Sequence, residues 1–232
     1  MPERRELDAE FVEKVEKFKI MPIDKAYILL TASGLKPASL IDFRIRPEDA
    51  NEAAQAFGTE QDFDDVVSTI KQADLPFGLR GRSVIKNSYY GDHESEFILI
   101  GRGDQELENL QGAMQFVAPY FEGGKKPVMD LEMIGEMRNN PKFNQYNNEL
   151  GLALGFPPSA VEAYVGGNGR EKLDKSTLPE HIQKGDAIAF CAFALSKDNW
   201  EEELKQAQTY ADFIKSASPV IYQEIVGANK EE

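Results

Sequence analysis

The chain has 232 residues, of which 41% are hydrophobic and 10% aromatic, a composition typical of folded globular proteins. Its 40 acidic and 26 basic residues give a formal net charge of −14, which repels nucleic acid and anionic membranes at long range. No apolar run approaches the roughly 20 residues that span a bilayer, and the amino terminus lacks the apolar segment of a signal peptide. We therefore expect one cytoplasmic domain over residues 1–232, without a nucleic-acid or membrane partner.

The first predicted elements are two helices. Apolar residues at helical spacing predict a helix over residues 7–20, and Pro22 is suited to open the next element. Residues 23–33 form a short apolar run that periodicity alone cannot assign to helix or strand. A helix is favoured because Gly34 stands where a left-handed cap belongs and Pro37 follows soon after.

Strand patterns follow. Strict alternation predicts a strand over residues 39–46. Pro47 then opens a predicted acidic helix to about residue 56, and a further helix is predicted over residues 62–73. Residues 79–90 and 94–101 predict a β-hairpin with Gly91 and Asp92 at its turn, since a type II′ turn favours glycine first.

The second half is mostly helical in pattern. Helices are predicted from Asp104, as the capping residue, to about 117, and then over 130–138, 142–154, 158–165, 198–217 and, after Pro219, to about 226. Residues 166–185 are polar and glycine-rich, which predicts a long loop that is a lid, a binding loop or disordered.

Residues 187–195 are apolar at every position, which predicts a central strand covered on both faces. Together the elements predict an α+β fold, with a mostly antiparallel sheet of about four strands packed against several helices.

The arginines suggest a binding site. Five of the nine lie on or at the ends of predicted strands: Arg44, Arg46, Arg80, Arg82 and Arg102. Because guanidinium groups bind carboxylate or phosphate bidentately, this pattern predicts an anion site on the sheet, closed by Arg170 from the long loop. The alternative is a solvated face on which these arginines pair with Asp42, Glu94 or Glu96.

Other chemistry has little support in the sequence. Gly101-Arg102-Gly103 lacks the spacing of a phosphate-binding loop, and the acidic turn that begins at Asp104 would repel a phosphate. The two histidines, His93 and His181, are not in metal-binding spacings, and no nucleophile motif is present. Cys191 is predicted to be a buried apolar residue. We expect no metal and no cofactor, and the sequence identifies no catalytic residue.

Residues 149–165 predict a helical hairpin of helix-turn-helix appearance. A DNA-reading second helix should carry donors for base edges and basic residues for phosphates. This second helix has no basic residue, so DNA binding is disfavoured.

Residues 154–164 of this hairpin read Leu-Gly-Phe-Pro-Pro-Ser-Ala-Val-Glu-Ala-Tyr. This stretch resembles the Leu-Gly-Tyr-Pro-x-Cys-Cys-Val-x-x-Phe stretch of a mainly archaeal domain family of unknown function, and residues 34–38 are a second point of similarity. Ser159 and Ala160 replace the paired cysteines of that family, so any metal or thiol role of those cysteines is not carried over. The resemblance implies no activity, because the family has none assigned.

Two functional hypotheses remain. The first is a binding protein or enzyme for an anionic small molecule, a phosphate or carboxylate metabolite, at the strand arginines and the 166–185 loop. The second is a non-catalytic interaction module or homo-oligomer that uses the helices of residues 130–165, where Met129, Met133 and Met137 would suit a partner surface.

Overall fold

The computed structural model describes residues 5–45, 58–85, 93–117, 128–129 and 131–231. The chain begins with helix α1 (Ala9–Glu16), whose first turn is capped by the Asp8 carboxylate. Helix α2 (Pro22–Ala32) has proline in its first turn and is followed by Gly34 in the left-handed conformation, with φ of 82°. The helix predicted for residues 23–33 is therefore confirmed.

Within the described ranges, four strands form one sheet in the order β1-β3-β2-β4. Both long pairings, β1 with β3 and β2 with β3, are antiparallel, whereas the short β4 runs parallel to β2. The strands are β1 (Ala38–Ile45), β2 (Phe77–Ile85), β3 (His93–Gly101) and β4 (Val128–Met129). The α+β class, the mostly antiparallel sheet and the hairpin of β2 and β3 are confirmed.

Helices cover both faces of this sheet. Ile41 and Phe43 of β1 and Ile98 of β3 point to one face, where they join a large apolar cluster with α1, α2 and helix α3 (Glu60–Gln72). Leu99 points to the other face, and its cluster draws on the next four helical segments. These are α4 (Asp104–Ala113), a 3-10 turn (Met114–Phe116), α5 (Leu131–Asn139) and α6 (Phe143–Ala153).

A third apolar cluster lies in the carboxyl-terminal part of the chain. Leu178, Cys191, Phe193, Leu195 and Leu204 are its buried apolar members, together with small alanines. The helices of this part are α7 (Pro158–Val165), α8 (Glu180–Gln183), α9 (Asp186–Ala189), α10 (Trp200–Ala217) and α11 (Pro219–Glu231). Helices α10 and α11 also supply residues to the first cluster, which joins this part to the sheet.

The central strand predicted for residues 187–195 is wrong. The segment begins as helix α9 and continues as an extended stretch that ends in an isolated bridge between Lys172 and Ser196. Cys191, Phe193 and Leu195 are buried in the third cluster and Phe190 in the first, so their burial comes from packing between helices and loops. An unbroken apolar run indicates burial on all sides, but it does not specify a strand.

Other boundaries differ in smaller ways. Helix α1 is shorter than the predicted 7–20, and Gly103, not Asp104, occupies the capping position of α4. Residues 166–185 contain 3-10 turns (Gly167–Gly169 and Lys175–Thr177) and helix α8. Pro219 ends α10 as predicted but opens the 13-residue α11.

Two sequence features lie outside the described residues: the helix predicted after Pro47 and the turn at Gly91 and Asp92. Within the described ranges, no helix is both long and apolar enough to cross a bilayer.

Candidate functional site

The predicted arginine site begins at Arg44 on β1. Its Nε donates to the Asp42 carboxylate at 3.0 Å, and Asp42 also accepts a hydrogen bond from the Ser95 hydroxyl of β3. Burial and the nearby Asp42 carboxylate raise the pKa of Asp24 to about 7. Arg44 is therefore part of a polar group that already contains carboxylates.

Arg82 on β2 lies in a different carboxylate setting. Its Nε donates to Glu96 at 2.9 Å, and its terminal nitrogens both bond Glu60 at the start of α3. Ser95 and Glu96 are consecutive on β3, so the partners of Arg44 and Arg82 lie on opposite faces of the sheet. The hydrogen bonds that Arg82 donates to Glu60 and Glu96 raise the pKa of its guanidinium above the ordinary value.

The remaining predicted arginines are also separated. Arg102, which precedes α4, donates to Glu106 in the first turn of that helix, and Arg170 donates from Nε to Glu162 of α7 at 2.7 Å. The backbone of Arg80 pairs with Phe97 in the sheet, and Arg46 lies outside the described residues. The four arginines of the predicted site whose side chains the structure describes thus contact four different sets of residues, each with a carboxylate.

A buried cation that sequence analysis did not single out is Lys36, between α2 and β1. Its side chain is only 1% exposed and is among the largest fully buried side chains. Its Nζ donates to the Ala38 carbonyl at 2.6 Å and to the Leu154 carbonyl. The same Nζ lies 5.0 Å from the ring centroid of Tyr27 and 5.2 Å from that of Phe156. Among the described residues no carboxylate forms an ion pair with Lys36.

A second buried lysine shows the contrast. Lys25, also almost fully buried, has a carboxylate partner, since its Nζ lies 3.0 Å from Glu224. For Lys36, removal from water is compensated by carbonyl dipoles and ring faces instead of by an opposite charge. This burial lowers the pKa of Lys36 to about 7, so a large neutral fraction is present near pH 7.

Lys36 is positioned by the docking of two loops. Leu154 and Gly155 end α6, and Gly155 has φ of 74° with its Cα packed directly on the Pro37 ring. The two stretches that resemble the archaeal family, residues 34–38 and 154–164, therefore contact each other. The family resemblance itself stays a prediction.

The positions of the family's paired cysteines have structural roles in this chain. Ser159 donates to Glu203 of α10 at 2.6 Å, and Ala160 is buried in the third cluster. Glu203 is itself only 2% exposed and also accepts from the amide and hydroxyl of Ser196. These contacts join α7, α10 and the end of the extended stretch.

An apolar cavity of about 250 Å³ opens beside the docked loops. Its walls come from α6, from the start and end of α7, and from the extended stretch at residues 192–194. Leu150, Leu154, Phe156 and Val161 give it a hydrocarbon and aromatic lining, which is the usual character of small-molecule sites. Leu154 and Phe156 both also contact Lys36.

A more open cleft of about 630 Å³ adjoins this cavity. Both are lined by Tyr164, Ala192, Phe193 and Ala194, so they flank the same stretch of chain. The remaining wall of the cleft is Cys191 and residues 172–175, and the latter belong to the segment predicted to be a lid, a binding loop or disordered. We call the cavity and the cleft together the 192–194 groove.

Two lysines give this groove a positive end. Lys172 lies with Nζ 5.8 Å from the ring centroid of the exposed Tyr164, and Lys175 donates from Nζ to the Cys191 carbonyl at 2.8 Å. Neither lysine forms an ion pair with a carboxylate in the described part of the chain. Asp174 is near enough to Lys172 for the two charges to interact.

Two buried titratable groups lie at the groove: Cys191 lines the cleft, and Tyr27 interacts with Cys191 and with the backbone of Ala192. Cys191 is buried, as the sequence predicted, and burial raises the pKa of its thiol. Burial, and then the neighbouring Tyr210 and Cys191, raise the pKa of the Tyr27 phenol above its ordinary value, while a bond from the Ala192 amide to the phenol oxygen opposes this shift. Both groups are therefore protonated at neutral pH.

Sequence reasoning did not single out the residues of the groove. The polarity of residues 166–185 predicted a lid, a binding loop or disorder, and in the sequence Lys172 and Lys175 look like any surface lysines. Lys36 carries a weak signal, because it lies between Leu35 and Pro37 where a helix meets a buried strand. Nothing local distinguishes it from a lysine at an exposed helix end.

No metal centre is visible in the part of the chain that the structure describes, where no group of three or more potential ligand side chains converges. His93 lies buried in β3 and His181 lies in α8. Comparison with family models, with curated proteins and with solved structures finds no match to this chain.

Proposed function

We propose that this protein binds a small carboxylate with an apolar body in the 192–194 groove, as a binding protein or as an enzyme acting on that metabolite. The observation that carries the proposal is the junction of an apolar cavity with a cleft bearing two lysines. An anion with a hydrophobic portion is complementary to both ends.

The apolar cavity favours a carboxylate over a free inorganic anion. Its volume of about 250 Å³ suits a phenyl ring or a short alkyl chain. The side chains of Leu150, Phe156 and Val161 have no hydrogen-bonding groups, so they favour an apolar ligand body. Transfer of such a group from water contributes roughly 2 kcal/mol of binding free energy. A bare phosphate would gain nothing from this surface.

The charge pattern supports the same ligand class. Lys172 and Lys175 stand in a molecule with a formal charge of −14, so they form a local positive site in a repulsive field. The four described strand and loop arginines lie beside carboxylates, which reduces their attraction for a further anion. The lysines of the 166–185 segment are the better anchors.

The proposal is tested by calorimetric titration with 3-phenylpropionate, and with its neutral amide as the matched ligand. We expect the acid to bind and the amide to bind at least about tenfold more weakly, since a charge-assisted contact to lysine is lost. Inorganic phosphate should show no saturable binding.

Matched variants locate the site. Replacing both Lys172 and Lys175 by Gln should weaken the binding of 3-phenylpropionate. Lys184→Gln, at an exposed lysine paired with Glu180 of α8, should leave this binding unchanged. Ala192→Phe should block the groove, because Ala192 is exposed at the junction of cavity and cleft. Ala228→Phe, at an exposed position of α11, is its control.

An Arg82→Gln variant separates the two anion sites considered for this chain. We expect full binding of 3-phenylpropionate by this variant once its folding is verified by thermal denaturation. Loss of binding in Arg82→Gln together with unchanged binding in the lysine variant would contradict the groove as the binding site and indicate an anion site on the sheet.

A further inference from the structure

Lys36 lies directly behind the wall of the apolar cavity. Leu154 lines the cavity and accepts a hydrogen bond from Nζ through its carbonyl, and Phe156 lines the cavity with its ring 5.2 Å from Nζ. One aromatic side chain thus stands between an amine and the space where a ligand body fits. A rotation of Phe156 about its side-chain bonds would join the two.

The surroundings of Lys36 favour an amine that is not held as a permanent cation. Described carboxylates make no ion pair with it, and its partners are two main-chain carbonyls and two aromatic rings. Its pKa of about 7 follows from this burial. A desolvated lysine of this kind is the nucleophile by which proteins form imines with carbonyl compounds.

We propose that Lys36 forms an imine with the carbonyl carbon of a small oxo acid whose apolar body occupies the cavity. The binding position of the ligand rests on the proposed function, and the chemistry of Lys36 goes beyond it. The substrate class is narrowed from carboxylates to carboxylates that also bear an aldehyde or ketone.

Tyr27 packs its ring on the Lys36 amine, and the proposal assigns it the proton relay of this step. The centroid of the ring lies 5.0 Å from the Lys36 nitrogen, and the backbone of Ala192, a groove-lining residue, is among the groups that act on the pKa of the phenol. Burial raises this pKa, so the phenol is protonated at neutral pH and can pass a proton to the alkoxide oxygen while it takes one from the ammonium nitrogen. Tyr27 thus borders both the amine and the wall of the groove.

The bond changes balance without a further reactant. The neutral Lys36 nitrogen attacks the carbonyl carbon, the C=O π electrons move to oxygen, and that oxygen takes the Tyr27 proton. The nitrogen then returns a proton to Tyr27, and the hydroxyl leaves as water with the second nitrogen proton. One C–N double bond replaces one C–O double bond.

Reductive trapping tests the proposal. The protein is incubated with phenylpyruvate and sodium cyanoborohydride, and the product is examined by intact mass and peptide mapping. We expect a mass gain equal to the oxo acid less one oxygen atom, located on Lys36. Lys25, buried but paired with Glu224, is the internal reference and should stay unmodified.

Two variants and a pH profile distinguish nucleophilic chemistry from a structural role. Lys36→Arg keeps the charge without a nucleophilic amine, Lys36→Met removes both, and each should lose the Lys36 adduct. If neither variant folds, the wild-type pH profile decides: trapping at Lys36 should level off near pH 7, whereas trapping at exposed lysines continues to rise toward alkaline pH.

3-Phenylpropionate lacks the ketone of phenylpyruvate and cannot form an imine, so it separates this proposal from the proposed function. Suppression of the Lys36 adduct by 3-phenylpropionate supports both. Calorimetric binding of 3-phenylpropionate with adducts confined to exposed lysines overturns the role of Lys36 and leaves the groove intact. A Lys36 adduct that 3-phenylpropionate does not suppress supports imine formation at Lys36 and contradicts ligand binding in the 192–194 groove. No binding and no adduct at Lys36 overturn both.

Discussion

Lys36 is in a physical state that its side-chain type does not predict. Lysine is almost never fully buried unless it is paired, and the buried Lys25 obeys this rule through Glu224. Lys36 instead meets the Leu154 carbonyl at the end of α6, where the helix dipole is negative. Two carbonyls and two ring faces thus replace the counter-ion.

This setting predicts a pH dependence of stability. The folded pKa of Lys36 is about 7, below its ordinary value of 10.5, so the unfolded chain binds more protons between these limits. Stability from this group therefore rises as the pH increases from about 7 to 10.5, with a slope of at most about 1.4 kcal/mol per pH unit.

The measurement is urea denaturation of the wild type and Lys36→Met across this pH range. Other titrating groups are common to both proteins, so the difference in free energy of unfolding isolates Lys36. We expect wild-type stability to increase relative to the variant with rising pH. A difference that does not change with pH would show that Lys36 titrates normally.

At the scale of elements, the docking of residues 34–38 onto the end of α6 determines where Lys36 lies. Gly155 has φ of 74°, and a Cβ there would overlap the Pro37 ring. Gly155→Ala should therefore cost about 2–4 kcal/mol of the free energy of unfolding, through backbone strain and overpacking.

Gly112→Ala in α4 is the matched control for this substitution. No heavy atom lies within 4 Å of the Cβ that it would add, so it should stabilise the protein by about 0.5–1 kcal/mol through helix propensity. Chemical denaturation of both variants gives the comparison. Equal effects of the two changes would contradict the docking of these loops.

Glu203 has a comparable role in joining elements. Its buried carboxylate accepts from Ser159 at the start of α7 and from the amide and hydroxyl of Ser196. Glu203→Ala should cost about 3 kcal/mol of unfolding free energy, since two buried donors and one partly buried donor lose their acceptor. Glu202→Ala, at an exposed neighbour on the same helix, should be nearly neutral. A small effect of Glu203→Ala in urea denaturation would contradict this role.

For the whole molecule, the elements with clear periodicity could be predicted from sequence. Alternation of Ile41, Phe43 and Ile45 specified β1, and the apolar spacing that includes Phe63 and Ile70 specified α3, because one face of each element is buried and the other is not. The stretch at 187–195 could not be assigned, since it is enclosed on several sides and carries no period.

The groove lies beyond local prediction for a related reason. Lys172, Tyr164 and Ala192 meet only because α7, the 166–185 segment and the stretch after α9 pack around one cluster. The strand arginines were recognisable from their pattern, but the sequence did not tell which carboxylate each would contact. Arg82, for example, bonds Glu60 at a separation of 22 residues.

The most direct measurement of the central claim is a crystal structure of the protein grown with 3-phenylpropionate. The account predicts electron density for the phenyl ring between α6 and α7, with the carboxylate within hydrogen-bonding distance of Lys172 or Lys175. A ligand found instead beside Arg44 or Arg82, with the groove filled only by solvent, would contradict it.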